Sequence, residues 1–316
     1  MFSSRLLLRK TSDNIIRYRL FFEKVKINCP SCSTIIDNWH NRCPVCGFTP
    51  KYIDGFEAWA PDLALITSGN FFNPTGFKEL AALEDAHFWF QARNELILWT
   101  IQFYFNKPIR YAEIGCGTGY VLQAVEQKFP SAKIVGTELF VKGLKYASQR
   151  CKHAELVQLD ARQIPWRNQF DVVGIFDVLE HIKDDEGVIE QIYESLSFGG
   201  GILITVPQHP WLWSSVDEAA CHVRRYSAKE LESKVRASGF EILRSTSFVS
   251  LLLPMMLASR LLIRKPASDA AAEMRINTHL NRLFRKIMSL EFKLIQLGFN
   301  FPLGGSRFIV GRKSRI

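Results

Sequence analysis

Residues 113–119 have the sequence E-I-G-C-G-T-G and lie between residues 109–112, which resemble the end of a strand, and a helix-like segment at 120–125. The pattern predicts a buried strand that turns through glycines into a helix. Such a turn brings bare backbone N–H groups close to a ligand, because glycine has no side chain in the way. The spacing is G-x-G-x-G, whereas a dinucleotide fingerprint would require a glycine where the sequence has Tyr120. The stretch therefore predicts a ligand-binding turn that lacks this fingerprint.

Four further apolar segments continue the alternation of strands and helices. They occupy residues 133–138, 156–161, 170–176 and 199–207. The continuous apolar run at 170–176 is typical of a central parallel strand that is buried on both faces. Glu138 ends the first segment about 20 residues past the glycines, where an acid can chelate a ribose diol. The order of the segments predicts an alternating β/α domain that binds a nucleoside.

The glycine turn, opened by Glu113 and containing Thr118, resembles the S-adenosylmethionine (SAM) site of class I methyltransferases. The sequence D-V-L-E-H at 177–181 strongly resembles the motif that follows the fourth strand in those members that act on small molecules. The resemblance implies a Rossmann-like sheet, with SAM as the cofactor. It also implies a set of cofactor-binding residues: Glu113, Gly115, Gly117, Gly119, Glu138, Leu139, Asp160, Ala161 and Asp177.

Four cysteines near the N-terminus form two C-x-x-C pairs separated by ten residues: Cys29, Cys32, Cys43 and Cys46. Paired knuckles of this kind bring four thiolates to one tetrahedral Zn(II), and iron is the less favoured alternative. Disulfides of a secreted protein are a further alternative. The three other cysteines show no pairing pattern and residues 1–26 show no signal-peptide core, which favours a reducing compartment. With four ligands the zinc is structural, and the ribbon either packs on the catalytic domain or binds a protein partner.

Two more strands complete the sheet that the resemblance implies. Residues 239–248 predict the sixth strand, preceded by a helix at 228–238, and residues 306–313 predict the seventh, which is antiparallel in this fold. Residues 249–304 then form an insertion at the edge where acceptors usually bind. We therefore predict an α/β fold: a Rossmann-like, seven-stranded class I methyltransferase sheet with a small N-terminal zinc ribbon and a helical insertion before the last strand.

The chain of 316 residues is long enough for one such domain and a small appended module. The predicted segments are a basic N-terminal segment (1–28), the zinc ribbon (29–50), a linker (51–83), the SAM-binding core (84–248), the insertion (249–304) and the last strand (305–316).

Both ends of the chain are basic. Residues 1–28 carry seven Lys and Arg against two Asp and Glu, and residues 249–316 carry twelve against three. Basic ends favour an anionic partner, either membrane headgroups or nucleic acid.

The insertion contains two apolar segments. The first, at 248–263, is shorter than the roughly 20 residues of a spanning helix and contains Pro254 and Arg260. The second, at 280–297, repeats apolar residues at helical spacing with basic residues on the other faces. This pattern is typical of a helix in a membrane interface or on a hydrophobic substrate channel. The alternative is a helical hairpin packed on its own domain or in a dimer. Nucleic acid is disfavoured because the region shows no RNA-binding motif.

Two further motifs extend the resemblance. Residues 87–93 read H-F-W-F-Q-A-R and residues 222–226 read H-V-R-R-Y. With the ribbon, they resemble a family of bacterial SAM-dependent methyltransferases that carry H-F-W-F-x-x-R and H-x-R-R-Y motifs and are often associated with surface-glycan or lipid-linked biosynthesis. The first motif is interpreted as a lid of His87, Trp89 and Arg93 over the cofactor. The alternative is a helix that buries its aromatic residues and places Arg93 in a salt bridge.

The second motif belongs to a predicted acceptor pocket that contains His209, Asp217, His222 and Arg224. An oxygen or nitrogen acceptor requires a general base, whereas a carboxylate acceptor requires none. The candidate bases are His181, His209 and His222. A hydrogen bond near the cofactor explains His181 equally well.

We therefore predict a SAM-dependent methyltransferase that contains structural Zn(II) and acts on a small-molecule, lipid-linked or glycan-linked acceptor. The expected location is the cytoplasm, with peripheral association at the inner membrane face as an option. Apolar residues among the arginines of 1–28 predict a second interfacial helix or a transit peptide. Two alternative functions remain open. One is an RNA methyltransferase, and the other is a non-catalytic scaffold of the same fold that binds a protein partner.

Overall fold

The computed structural model describes residues 26–37, 42–66, 74–106, 108–262 and 276–314. These ranges contain twelve strands: β1 (Lys26–Asn28), β2 (Ile35–Ile36), β3 (Lys51–Ile53), β4 (Phe56–Ala58), β5 (Arg110–Ile114), β6 (Lys133–Glu138), β7 (Glu155–Gln158), β8 (Trp166–Arg167), β9 (Phe170–Phe176), β10 (Leu196–Pro207), β11 (Phe240–Phe248) and β12 (Ser306–Lys313).

The same ranges contain nine α-helices: α1 (Phe77–Leu83), α2 (Phe88–Phe105), α3 (Tyr120–Lys128), α4 (Val141–Arg150), α5 (Asp185–Ser195), α6 (Ser215–Ala219), α7 (Ala228–Ala237), α8 (Leu253–Leu262) and α9 (Thr278–Gln296). Short 3-10 helices lie at Pro74–Gly76, Leu179–His181 and Pro210–Leu212. Within the described part of the chain, no helix combines the length and apolar character needed to cross a membrane.

The central sheet has nine strands in the order β11-β12-β10-β9-β5-β6-β7-β4-β3. Strands β10, β9, β5, β6 and β7 pair in parallel, whereas β12 is antiparallel to both β10 and β11. All seven predicted strands are present, and the last of them is antiparallel as expected. The prediction of a Rossmann-like α/β sheet is confirmed.

The sheet extends beyond the prediction at one edge. Strands β3 and β4 form a hairpin, and β4 pairs in parallel with β7 through Glu57 and Ala58. The hairpin turns at Gly55, whose φ of +90° suits glycine. Residues 51–58 therefore belong to the sheet, although they lie in the segment predicted to be a linker. Strands of three residues are too short to show a periodic pattern, which is why the sequence did not reveal them.

The apolar core lies on both faces of the sheet. In β9, Val173 and Ile175 belong to one buried cluster, whereas Val172 and Phe176 belong to the other. Successive side chains of a strand point to opposite faces, so a strand covered on both sides must be apolar on both. Fully burying one such side chain contributes about 1.5–3 kcal/mol. This explains the nearly continuous apolar run at 170–176.

The cysteine-containing segment packs directly on the main domain. Strand β1 pairs antiparallel with β2 on one side and with β8 on the other, so that Ile27 lies opposite Trp166. Both side chains are fully buried, and Cys29 and Cys43 belong to the same apolar cluster. The two parts therefore share one core. Residues 38–41 of the predicted ribbon, and nearly all of the basic segment 1–28, lie outside the described residues.

The predicted helical insertion is present, and its long helix α9 packs along α2 of the same chain. Asn281 accepts a hydrogen bond from the backbone N–H of Phe88 at 2.8 Å. Glu291 is fully buried and accepts hydrogen bonds from the two backbone N–H groups at 250–251, each at 2.8 Å. One face of α9 thus packs against other parts of the same domain. Residues 263–275 of the insertion lie outside the described residues.

Candidate functional site

The glycine turn connects β5 to α3, as the sequence predicts. Gly115, Gly117 and Gly119 have φ values of +73°, +54° and +78°, a region that other residues rarely adopt. A Cβ at Gly115 would lie 2.4 Å from Val178, and a Cβ at Gly119 would lie 2.9 Å from Ala147. At Gly117 the nearest atom would be 3.8 Å away. The first and third glycines therefore allow close packing, whereas a Cβ at the second would make only an ordinary van der Waals contact with Phe77.

Glu138, at the end of β6, contacts this turn directly. Its Oε2 accepts a hydrogen bond from the backbone N–H of Gly117 at 3.0 Å, and its Oε1 accepts one from Phe140 at 3.1 Å. Burial raises the pKa of Glu138 to about 7, although these backbone hydrogen bonds act in the opposite direction. The structure thus brings together two predicted cofactor-binding elements that are 21 residues apart in the sequence.

Arg93 and Asp177 form an ion pair at the end of β9. Thr205 also donates a hydrogen bond to Asp177, at 3.1 Å. The Arg93 guanidinium lies over the ring of Trp89, 4.4 Å from the ring centroid, and its Nε is buried without a hydrogen-bond partner among the described residues. Asp177 has a φ of +55°, which turns the chain sharply after the strand. The sequence predicted a role for each of these residues but not their pairing with each other.

The other residues of the H-F-W-F-Q-A-R motif build the start of α2. His87 is the N-cap, and its Nδ1 accepts a hydrogen bond from the backbone N–H of Trp89 at 3.3 Å. Burial lowers the pKa of His87 to about 4. Phe88 is nearly fully buried against the insertion. Phe88 and Arg93 therefore adopt the packing that was the alternative to a lid, with Arg93 in an ion pair, whereas Trp89 is only half-buried.

A second buried group holds the glycine turn from the other side. Thr118 donates a hydrogen bond to Glu84, and Arg150 forms an ion pair with Glu84 at 3.0 Å. Glu84 is 5% exposed, and its burial raises its pKa above the usual value. Neither Glu84 nor Arg150 is among the site residues predicted from the sequence. The only local signal was the Thr inside the turn, whose hydroxyl needs a partner once it is buried.

The remaining predicted cofactor residues lie along the same edge of the sheet. Burial raises the pKa of Glu113 to about 8, and the OH of Tyr111 donates a hydrogen bond to it at 3.4 Å. Asp160 is paired with Arg162 at 2.6 Å. The backbone carbonyl of Leu139 accepts a hydrogen bond from a side-chain amide at 2.9 Å. Ala161 follows Asp160 and is half-buried.

These residues fit a SAM molecule in chemical terms. Glu138 is a buried carboxylate beside the glycine turn and has lone pairs left for the hydroxyls of a ribose. The unpartnered Nε of Arg93 is a buried donor suited to a carboxylate. Asp160 is already paired with Arg162. The adenine of a bound SAM would therefore share the Asp160 carboxylate with this guanidinium.

Residues 83–245 match the family described as "Methyltransferase domain". This range is just over half of the 316 residues and includes the glycine turn, Glu138, Asp160 and Asp177. The chain belongs to this family. The family assignment agrees with the Rossmann-like sheet and with the methyltransferase resemblance of the glycine turn.

Two curated relatives are similar to part of this chain. Malonyl-[acyl-carrier protein] O-methyltransferase of Priestia megaterium is 27% identical over 104 residues, which are 32% of this chain and 38% of the relative. Ubiquinone biosynthesis O-methyltransferase of Psychrobacter arcticus is 27% identical over 107 residues, which are 31% of this chain and 41% of the relative. The chain spans about two fifths of the length of these relatives.

One solved structure shares the fold over most of the chain. It is the complex between the Haloferax volcanii Trm112 methyltransferase activator and a methyltransferase. The similarity has a TM-score of 0.52 at 17% identity and covers 77% of this chain and 98% of the other. At this identity the similarity concerns the fold alone.

On the predicted acceptor side of the sheet edge, His181 and His222 lie together. Their ring centroids are 4.8 Å apart, although the residues are 41 positions apart in the sequence. Burial lowers the pKa of His181 to about 3, and the nearby His222 adds to this effect. His181 is therefore a weak base at neutral pH. Nδ1 of His222 lies 2.9 Å from Oδ1 of Asp217.

Asp217 connects His222 and Arg225 on the predicted acceptor side. It is fully buried and accepts a hydrogen bond from Nε of Arg225 at 2.7 Å. Burial alone would raise its pKa, but the hydrogen bonds from His222 and Arg225 hold the pKa at about 2. Arg224, predicted to line the same pocket, pairs instead with Asp185 at 2.8 Å.

The third candidate base, His209, is not in this group. Its ring stacks on Trp211 with the ring centroids 4.8 Å apart, and its φ is +64°. Burial and the positive charges of Arg307 and Arg225 lower its pKa. Of the three candidate bases, only His222 therefore lies within hydrogen-bonding distance of a buried carboxylate partner.

The four predicted metal ligands converge in the structure. One sulfur from each of the cysteines 29, 32, 43 and 46 lies within 4.8 Å of the others. The Sγ–Sγ distance is 3.6 Å for Cys29–Cys46 and 3.7 Å for Cys32–Cys43. Four sulfurs placed tetrahedrally at a Zn–S distance of 2.3 Å would be about 3.8 Å apart. The four cysteines could therefore hold a metal ion.

Proposed function

We propose that this chain is a SAM-dependent methyltransferase that acts on a small-molecule acceptor. The observation that carries the proposal is the hydrogen bond between the carboxylate of Glu138 and the backbone N–H of Gly117. It joins an acid suited to a ribose diol to a glycine turn that exposes backbone donors. The family assignment supports the same conclusion.

We assign Arg93 and Asp177 to the amino-acid end of the cofactor. The guanidinium has a free buried donor at Nε, and a bidentate guanidinium suits a carboxylate. Asp177 is an acceptor suited to an ammonium group. The two charges neutralise each other in the unliganded chain, so neither is left as an isolated partly buried charge.

SAM supplies, when bound, a methyl group on a sulfonium that is already electrophilic. The chain therefore has to align an acceptor with that methyl group and exclude water. Orientation of this kind can supply about 7–11 kcal/mol of the barrier reduction. The paired His222 and Asp217 lie on the acceptor side and can hold an acceptor hydroxyl or take its proton. Because the two relatives named above are O-methyltransferases, we propose an oxygen acceptor.

We propose that the four cysteines bind structural Zn(II). The sulfur spacing is close to that of a tetrahedral site, and four protein ligands leave no position open for chemistry. Strand β1 links this site to the main domain through Ile27 and Trp166. The metal would therefore stabilise the whole methyltransferase domain.

We also propose that the acceptor is lipid-linked and that α9 contacts an anionic membrane surface. Leu283, Leu290 and Leu297 recur every seven residues and so lie on one face, where they are 50%, 55% and 84% exposed. This face differs from the one that packs on α2. The neighbouring exposed positions are basic: Arg282, Lys286 and Lys293. An exposed leucine stripe flanked by cations is typical of an interfacial helix.

Calorimetry with SAM and S-adenosylhomocysteine tests the proposed function. We expect micromolar binding by the wild-type chain and at least roughly tenfold weaker binding by Glu138→Ala, since one hydrogen bond to a charged group is worth about 1.5–3 kcal/mol. Glu79→Ala is the matched control, because Glu79 is exposed on α1. A folded wild-type chain that binds neither compound would overturn the proposal.

A further inference from the structure

A second group of metal-binding side chains lies on the predicted acceptor side of the site. Glu180, His181 and His222 each offer one donor atom, and these atoms all lie within 4.8 Å of one another. Two donors bound to one ion at about 2.1 Å each are at most about 4.2 Å apart, so a movement of well under an ångström closes the group around an ion. We propose that these three side chains bind a divalent transition-metal ion.

The strongest structural support comes from Glu180. This side chain is 1% exposed, and its Oε2 has no hydrogen-bond partner among the described residues. Its Oε1 lies 4.0 Å from Nε2 of His222, too far for a hydrogen bond. A buried carboxylate oxygen without a partner is costly, and most such groups in native proteins are satisfied. A cation between the carboxylate and the two imidazoles supplies the missing interaction.

Both histidines have the outer contacts expected of metal ligands. A ligating imidazole usually hydrogen-bonds through its other nitrogen to a carboxylate or a backbone carbonyl, which fixes the ring. Nδ1 of His222 lies 2.9 Å from the buried carboxylate of Asp217, so that Nε2 faces the site. The backbone of Cys221 lies beside the His181 ring and favours its protonated form, as a carbonyl acceptor does. Arg225 holds Asp217 in turn, at 2.7 Å.

The backbone also fixes the two segments that supply the ligands. Glu180 and His181 lie in the 3-10 helix that follows β9, whereas His222 follows α6. The N–H of Val223 donates a hydrogen bond to the carbonyl of Glu180 at 2.8 Å. The ligands are therefore held in place by main-chain contacts as well as by their side-chain partners. This is the rigidity that a preformed metal site requires.

The ligand types indicate the class of ion. Two imidazoles and one carboxylate suit Zn(II), Co(II), Fe(II) and related ions, whereas Mg(II) and Ca(II) prefer oxygen ligands alone. Three ligands leave coordination positions open, and the side chain of His222 is 15% exposed, which provides a route to the site. An acceptor with neighbouring oxygens can occupy the open positions and be oriented by the ion. With the ion bound, Nε2 of His222 is a ligand, and the ion in place of the imidazole promotes loss of the acceptor's proton. This last role rests on the proposed function, whereas metal binding itself does not.

Metal analysis of the full-length chain tests the site. The protein is dialysed to equilibrium against micromolar Co(II), and the total of bound zinc and cobalt per chain is measured. We expect the wild type to hold about one more equivalent than His222→Ala or the near-isosteric Glu180→Gln. The exposed His153 provides the matched control, and His153→Ala should keep the wild-type total. Circular dichroism of each variant shows whether it is folded.

A thermal melt provides a second reading that does not depend on activity. Co(II) should raise the melting temperature of the wild type more than that of Glu180→Gln, because binding to the folded state stabilises it. Equal metal content and equal Co(II)-dependent shifts in the wild type and both variants would overturn the metal site. A chain that binds SAM but not this ion refutes the metal site alone. A chain that binds the ion but not SAM refutes the proposed function alone.

Discussion

The carboxylate of Glu138 accepts a hydrogen bond from the backbone N–H of Gly117 at 3.0 Å. The contact forms because β5 and β6 are parallel neighbours in register, with Ile114 opposite Thr137, so their carboxyl ends meet at one edge of the sheet. Ligands of open α/β sheets bind at this edge. Glu138 is buried at this edge, and its burial makes the stability of the fold depend on pH.

The first prediction concerns the pH dependence of stability of the unliganded chain. The pKa of Glu138 is raised from 4.5 to about 7 on folding, so the folded state binds the proton more tightly than the unfolded state. Stability from this group is therefore present below about pH 4.5 and is lost as the pH rises to about 7, by about 1–3 kcal/mol. Glu138→Gln cannot ionise and should lose this slope. Urea unfolding at about pH 5 and about pH 8 measures it.

The exposed Glu79 gives the control for this experiment, because Glu79→Gln removes an acid that the fold does not bury. Its stability should follow the wild-type pH profile. If Glu138→Gln follows that profile as well, the pKa of Glu138 is not raised in the folded chain.

The second prediction concerns Arg93, which pairs with Asp177 and stacks on Trp89. Arg93→Lys keeps the charge but loses the planar fork, so it should retain the fold and weaken SAM binding by about tenfold or more. Arg93→Ala leaves Asp177 unpaired and should also destabilise the domain. Calorimetry and thermal melts separate the two effects. Wild-type SAM affinity in Arg93→Lys would show that the guanidinium does not hold the cofactor.

The third prediction concerns the four-cysteine site. Cys43→Ser should lose about one equivalent of zinc, because three thiolates and a hydroxyl bind the ion less well. The melting temperature of the whole domain should fall, since Ile27 and Trp166 share one core. Elemental analysis and calorimetric melting measure both changes. Cys151→Ser, a buried cysteine outside the site, should keep the zinc. Full zinc occupancy in Cys43→Ser would refute the assignment.

The fourth prediction concerns Glu291, which fixes the start of the insertion to α9. Glu291→Ala removes the acceptor of two hydrogen bonds from the N–H groups of Ser250 and Leu251 and should cost about 2 kcal/mol. Hydrogen exchange should accelerate at these two amides first. Lys293→Ala, on the exposed side of the same helix, should leave exchange there unchanged. If these two amides exchange at the same rate in both variants, Glu291 does not hold this segment in place.

The fifth prediction concerns the exposed leucine stripe of α9. Leu290→Glu should reduce binding to phosphatidylglycerol vesicles several-fold and change stability by no more than about 0.5 kcal/mol, because Leu290 is 55% exposed. Flotation of the vesicles measures the binding. Val45→Glu alters an exposed apolar residue elsewhere, at 66% exposure, and should bind as the wild type does. A wild-type chain that does not float with these vesicles would refute membrane contact.

Several parts of the molecule could not be predicted from the sequence, because they depend on contacts between distant residues. Two-residue strands such as Trp166–Arg167 have no period, so the pairing of β8 with β1 left no signal. The bond between Thr118 and Glu84 spans 34 residues, and neither residue belongs to a recognisable pair. Arg93 lies in a predicted motif, but its partner Asp177 is 84 residues away.

The sequence by itself determined the order of the seven main strands, the glycine turn and the four-cysteine pattern. Each of these leaves a local signature: an apolar run where a strand is buried on both faces, glycines where the backbone requires positive φ, and cysteines at knuckle spacing. The cofactor roles of Glu138, Asp160 and Asp177 stay predictions. Only the tertiary structure decided that His181 and His222 meet beside Glu180 while His209 stacks on Trp211. The reason is physical, since side chains from separate loops meet only where the folded backbone places them.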